Sequence, residues 1–131
     1  MKTYAIVVGI VKIESKILIL KRNPTKRFDP KAWEFVSGFI KDHQSAENTM
    51  LREVKEETGL DGELIKSAKS FEVNDKYGRW IIIPFLIKVN SNNIKVNPAE
   101  HTEFKWIDIN EIDKFETVAD LKKDLKVLGL I

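Results

Sequence analysis

The chain contains no cysteine. Disulfides and thiolate metal sites are therefore excluded, and the composition fits a reducing cytoplasm. Net charge is also scarce: 22 Lys and Arg against 20 Asp and Glu leave +2, too little for bulk electrostatics to hold a nucleic-acid polymer. Long apolar runs are missing. The longest, Trp80 to Ile87, is far short of the roughly 20 residues of a membrane-spanning helix. The apolar segment Tyr4–Val11 is followed by Lys12 and Glu14, without the small-residue cleavage site of a secretory leader. Internal repeats, low-complexity tracts and linkers are absent as well. What remains is a 131-residue chain that is 43% hydrophobic, expected to form one domain over residues 1–131, soluble and cytoplasmic, with no membrane partner.

Residues Thr3 to Ile13 are rich in β-branched types and predict a long buried strand, and Ile17 to Leu20 predicts its returning partner after the polar break Glu14-Ser15-Lys16. A basic loop follows, Lys21 to Arg27, with Pro24 and Pro30 as breakers. It reads equally as a phosphate contact or as a solvated turn. Trp33 to Val36 predicts a short strand, with Trp33 expected in the core. Beyond Leu60, Glu63–Val73 and Arg79–Val89 predict two strands around Asn74–Gly78. Pro84 within the second predicts an edge position or a bulge. Phe104–Ile107 predicts a last strand, Asn110–Phe115 a helical turn, and Ala119–Leu128 an amphipathic helix with Leu121, Leu125 and Leu128 on one face. This order of elements predicts an α/β fold, a mixed sheet covered on both faces.

The most informative stretch is Gly38 to Leu60, GFIKDHQSAENTMLREVKEETGL. Ser45 is a suitable N-cap, Glu47 favours the first turn, and Gly59 followed by Leu60 is a C-terminal stop. Within this helix Glu53, Glu56 and Glu57 stand at i, i+3 and i+4. At about 100° per residue they share one arc. Like charges at that spacing cost about 0.2–0.5 kcal/mol per pair, and hard divalent cations bind oxygen ligands. Met50, Leu51, Val54 and Thr58 form the neighbouring arc, expected to pack on a core. A loop–helix unit that presents carboxylates at a fixed place predicts a metal site.

The same stretch resembles the Nudix box: Gly, five residues, Glu, seven residues, then Arg-Glu-aliphatic-x-Glu-Glu-x-Gly-aliphatic. Here it runs from Gly38 through Gln44, in place of the first Glu, to Arg52-Glu53-Val54-Lys55-Glu56-Glu57-Thr58-Gly59-Leu60, so that eight of nine defined positions match. The approach, Val36-Ser37-Gly38, has fewer glycines than the Pro-Gly-Gly common in the family. The resemblance implies an α/β/α sandwich with a mixed β-sheet. It also implies hydrolysis of a phosphoanhydride in a nucleoside diphosphate linked to another group, with Mg2+ or Mn2+.

By position, the resemblance makes Glu53, Glu56, Glu57 and the carbonyl of Gly38 the metal ligands, and Arg52 the residue that orients the glutamates. The base in such enzymes is a box glutamate or one from a later loop. Glu100 is the choice here and Glu103 its competitor. Gln44 can hydrogen-bond Arg52 but supplies no charge. His43 and His101 are each more often surface groups than participants. The substrate is expected to be a small nucleotide. The resemblance favours a nucleoside triphosphate, cleaved to monophosphate and pyrophosphate. A dinucleoside polyphosphate, for which Tyr77 falls in the relevant window, or ADP-ribose is the alternative, as is a module that binds a nucleotide without cleaving it. Many members of the family are dimers.

Overall fold

A computed structural model describes residues 1–131. In chain order the elements are β1 (Thr3–Ile13), β2 (Lys16–Arg22), β3 (Trp33–Glu34), β4 (Val36–Phe39), α1 (Ala46–Thr58), β5 (Glu63–Ser67), β6 (Phe71–Asp75), β7 (Gly78–Lys88), β8 (His101–Ile107), a 3-10 helix (Ile109–Lys114) and α2 (Leu121–Val127). The eight strands form one sheet. Strands β1 and β7 run parallel in unbroken register from Thr3↔Arg79 to Lys12↔Lys88. All other pairings are antiparallel, so the sheet is mixed and the fold is α/β.

Period-two alternation along β1 sorts its side chains between two cores. Val8 and Ile10 join Ile17, Ile19, Ile82 and Leu86 under Leu121, Leu125 and Leu128 of α2. Val7 and Val11 join Leu18, Leu20, Phe85 and Ile87 under Met50 and Val54 of α1. A helix thus covers each face. The edge of β1 opposite β7 is shared: its middle (Ile6–Gly9) pairs with β4, its end (Lys12, Ile13) with β2. That division sends the chain between β2 and β4 over the sheet, where the cavity described below opens.

Helix α1 begins and ends as its sequence predicts. Ser45 Oγ accepts from Asn48 N (3.0 Å), and Gly59 takes the left-handed conformation at φ 77° while its N–H donates to Lys55 O. Two expectations need correction. Glu63–Val73 is not one strand: the chain leaves the ladder after Ser67 and rejoins it at Phe71, and β5 and β6 both pair with β7. Pro84 does not lie on an edge, because β7 has β1 on one side and β5 and β6 on the other. Proline is tolerated there because Ile83 and Pro84 face the gap between β5 and β6, where no residue stands opposite in the ladder. No helix is long and apolar enough to cross a membrane.

Met50 is fully buried beneath α1, with its sulfur and methyl close over Gly9. Met50→Ala should destabilise the fold by about 3 kcal/mol, measured as a lower urea midpoint at unchanged m-value.

Candidate active site

A cavity of about 450 Å3 opens against both helices, and residues distant in the chain line it. One end is anionic: Glu34 of β3, Glu53 and Glu57 of α1, and Glu100 just before β8. Helical spacing explains the difference among the box glutamates. Glu57 follows Met50 by seven residues and Val54 by three, so it falls on the face of α1 that meets the sheet and is only 3% exposed. Glu53 lies at the edge of that face, directly over Gly38, where a Cβ would coincide with its carboxyl. A side chain at position 38 would displace Glu53. Glu56 points away: its side chain is 55% exposed, it pairs with Arg52 Nε at 3.7 Å, and it does not line the cavity.

The carboxylates crowd one another. Burial pushes the Glu57 carboxyl well above its ordinary range, helped by the charge of Glu34, a hydrogen bond with Glu53 and that residue's charge, and the charge of Glu100. Arg22 and His101 brace the cluster from behind. Arg22 Nη1 donates to both Glu34 oxygens (2.9 and 3.0 Å), and its Nε donates to Phe28 O. His101, 1% exposed, donates from Nε2 to Glu34 Oε2 (2.8 Å), with Glu57 Oε1 3.7 Å away. Glu34 is thereby paired with Arg22, whereas the nearest basic group to Glu57 is His101 at 3.7 Å.

Ligand atoms of Glu34, Glu57 and His101 lie within 4.8 Å of one another, close enough to share a cation. His101 does not line the cavity, so the ligand atoms facing it are the carboxylate oxygens. An oxygen-rich, under-neutralised pocket fits a hard divalent ion.

The other end of the cavity is apolar and aromatic. Trp80 stacks on Tyr4 (centroids 4.4 Å apart), and Phe28 meets both Trp80 and Tyr77 edge-on. Asp75 fixes the Trp80 ring by accepting from its Nε1 (2.9 Å). Phe28, Phe39 and Trp80 line the cavity beside Ile82 and Leu121. Asp124 of α2 is there too, 4% exposed, one turn beyond Leu121 and one before Leu128. Burial, and secondarily the charge of Asp120, pushes its carboxyl up from 3.8 to about 8.

Several sequence-predicted residues therefore converge and others do not. Gly38, Glu53, Glu57 and Glu100 share the cavity. Arg52 lies behind Glu53, 3.4 Å from its Oε1. Glu103 is turned outward to Lys21 (3.5 Å), and His43 and Gln44 are exposed on the loop before α1. Arg52 pairs with Glu53 and Glu56, while its buried Nε has no hydrogen bond, so Gln44 does not serve it. Trp33 is buried against Phe115, outside the cavity. In the basic loop Arg22 is consumed by Glu34 and Lys26 by Glu100 (2.6 Å), leaving Arg27, over the Phe28 ring, on the cavity wall together with Lys41 from the loop before α1. Glu34 and Asp124 escaped the sequence reading. Each had a signal: a lone acid in the apolar run Ala32–Val36, and an acid on the leucine face of the last helix.

The NUDIX domain family is matched over residues 3–126, and the chain belongs to it. Among curated relatives, RNA pyrophosphohydrolase of Shewanella denitrificans is 28% identical over 76% of this chain and 69% of its own length. ADP-ribose pyrophosphatase of Methanocaldococcus jannaschii is 32% identical over 81% of this chain, which spans 62% of that protein. A MutT protein from Methanosarcina mazei superposes with a TM-score of 0.79 at 22% identity, covering 93% of this chain and 88% of that one, a likeness of fold. The protein is a Nudix hydrolase, of a family that acts on pyrophosphate-containing substrates.

Two stability predictions follow from the buried charges. Arg22→Met should destabilise by about 3–5 kcal/mol, because Glu34 is left buried and under-compensated; chemical denaturation checks it. Asp124 binds a proton when folded that the unfolded chain releases above its ordinary value of 3.8. Its contribution to stability therefore falls as pH rises from about 4 to about 8, by up to about 1.4 kcal/mol per pH unit. Asp124→Asn has no such proton, so the melting temperature of the variant should pull ahead of wild type across that window.

Proposed function

We propose that this chain is a divalent-cation-dependent nucleotide pyrophosphohydrolase acting on nucleoside triphosphates to give the monophosphate and pyrophosphate. The carrying observation is a single cavity with four carboxylates at one end and an aromatic wall at the other. Those two ends suit a polyphosphate with its cation and a heterocyclic base. Glu53, Glu57 and the carbonyl of Gly38 would hold Mg2+ or Mn2+, with Glu56 at the exposed rim. The ion's part is to neutralise the polyphosphate and polarise the phosphorus under attack.

The chain's own residues do the rest. Arg22 and His101 hold Glu34, and Glu34 confines Glu57, so the ligand oxygens are fixed before substrate arrives. Arg52 restrains Glu53 from the side away from the cavity. Arg27 meets the phosphates. Glu100, anchored by Lys26, takes the proton of the attacking water. As the water oxygen bonds to phosphorus, the bond to the bridging oxygen breaks and its electron pair leaves with pyrophosphate. Phe28, Phe39 and Trp80 stack the base.

The same chemistry on ADP-ribose is favoured by the Methanocaldococcus relative, and on a dinucleoside polyphosphate by the packing of Tyr77 against Phe28. The Shewanella relative's name adds an RNA end as a substrate to test. One panel, of nucleoside triphosphates, ADP-ribose, diadenosine tetraphosphate and a 5′-triphosphorylated oligonucleotide, separates these by product. Glu53→Gln and Glu57→Gln should each lower kcat by about 100-fold or more. Mn2+ should raise the melting temperature of wild type but not of these variants. Unchanged turnover in both would defeat the reading, and wild type that binds nucleotide without turnover would instead make the chain a sensing module.

A further inference from the structure

Four buried side-chain atoms lack a hydrogen-bond partner: Tyr4 Oη, Arg52 Nε, His101 Nδ1 and Asp124 Oδ1. Only Asp124 belongs to a residue that lines the cavity. Of the other acids there, Asp29 is only half-buried and the rest are engaged or clustered. Asp75 accepts from Tyr77 N, Gly78 N and Trp80 Nε1, Glu34 from Arg22 and His101, and Glu100 from Lys26. Asp124 stands instead among leucines, where an unpaired polar group costs stability. Leu121, Ile82 and Trp80 line the same cavity, and such apolar and aromatic walls suit a planar heterocycle.

We propose that Asp124 holds the substrate's base by its edge: its buried carboxyl hydrogen-bonds a base that carries an acceptor beside a donor. This rests on the nucleotide reading above and adds to it the group that reads the base. A carboxylic acid has an O–H to give and a carbonyl to receive, so it pairs with an edge that has an acceptor beside a donor. A carboxylate would offer acceptors alone. The raised carboxyl of Asp124 favours the acid at neutral pH. Aromatic stacking is indifferent to base identity, because every base has a π-face. Discrimination therefore needs an edge contact, and a site built for one rejects ligands that lack it.

The test compares wild type, Asp124→Asn and Asp124→Leu on the four common ribonucleoside triphosphates, on benzimidazole riboside triphosphate, whose base has no donor–acceptor edge, and on ribose 5-triphosphate, which has no base. In wild type, KM for the benzimidazole compound should exceed that for the best natural nucleotide by at least about tenfold. Asp124→Leu should raise KM for the natural nucleotide toward the benzimidazole value, with ribose 5-triphosphate the substrate least affected. Asp124→Asn keeps a donor and an acceptor and should rescue most of the loss. The proposal is overturned if wild type does not distinguish the benzimidazole compound, if Leu penalises ribose 5-triphosphate as heavily as nucleotides, or if Asn fails as badly as Leu. In each of those cases turnover of nucleotides survives and the pyrophosphohydrolase reading stands. Absence of turnover by wild type on every triphosphate would remove both.

Discussion

The constraint on which the site depends is the crowding of buried carboxylates around Glu57. A carboxylate without a partner is costly to bury, and here Glu57 is placed at the junction of α1 and the sheet with Glu34, Glu53 and Glu100 raising its affinity for a proton. The fold tolerates this because the helix is anchored independently. Met50 and Val54 are fully buried, Ser45 and Gly59 close the two ends of the helix, and Thr58 Oγ1 donates to Val54 O. Hydrophobic burial holds the helix in place, and the helix holds the acid where repulsion would otherwise expel it. Stability is thereby exchanged for a preformed anionic pocket.

The braces behind that pocket are as informative as the acids in it. Arg22, Glu34 and His101 come from β2, β3 and β8, which are neighbours because β2 pairs with both of the others. Their hydrogen bonds hold Glu34 against a cation, while Glu57 accepts none from Arg22. The pocket is therefore asymmetric, one acid structural and another available to a cation. A similar asymmetry marks the aromatic end, where Asp75 is saturated by donors and Asp124 is not.

Elements dominated by local signals were legible in the chain. A run rich in β-branched residues located β1, and the Ser45 and Gly59 caps located α1, since both depend on interactions within a few residues. The break between β5 and β6 falls in the short polar stretch Lys66-Ser67-Ala68-Lys69-Ser70, which carries no glycine or proline to mark a turn, and the ladder with β7 shows where pairing lapses. Pro84 read as an edge or bulge marker, and which of these applies depends on the strand opposite: β7 is internal, and the ladder lapses there between β5 and β6. Within the site, the box spacing brought Gly38, Glu53 and Glu57 into view, while Glu56 left the group once the sheet fixed which arc of α1 faces inward. Glu34 and Asp124 left only the weak signal of an acid among apolar positions, and His101, flanked by Glu100 and Thr102, read as a surface group until the pairing of β8 with β2 buried it.

By itself the sequence determined the helix, its caps, the order of strands and helices and the acidic motif that identifies the family, because each is set by neighbours along the chain. Tertiary structure alone decided which glutamate is buried, which acids pair with Arg22, His101 and Lys26, and which one, Asp124, is left without a partner beside an aromatic wall. Those outcomes turn on distances between segments separated by tens of residues, and charge and desolvation act through space rather than along the backbone.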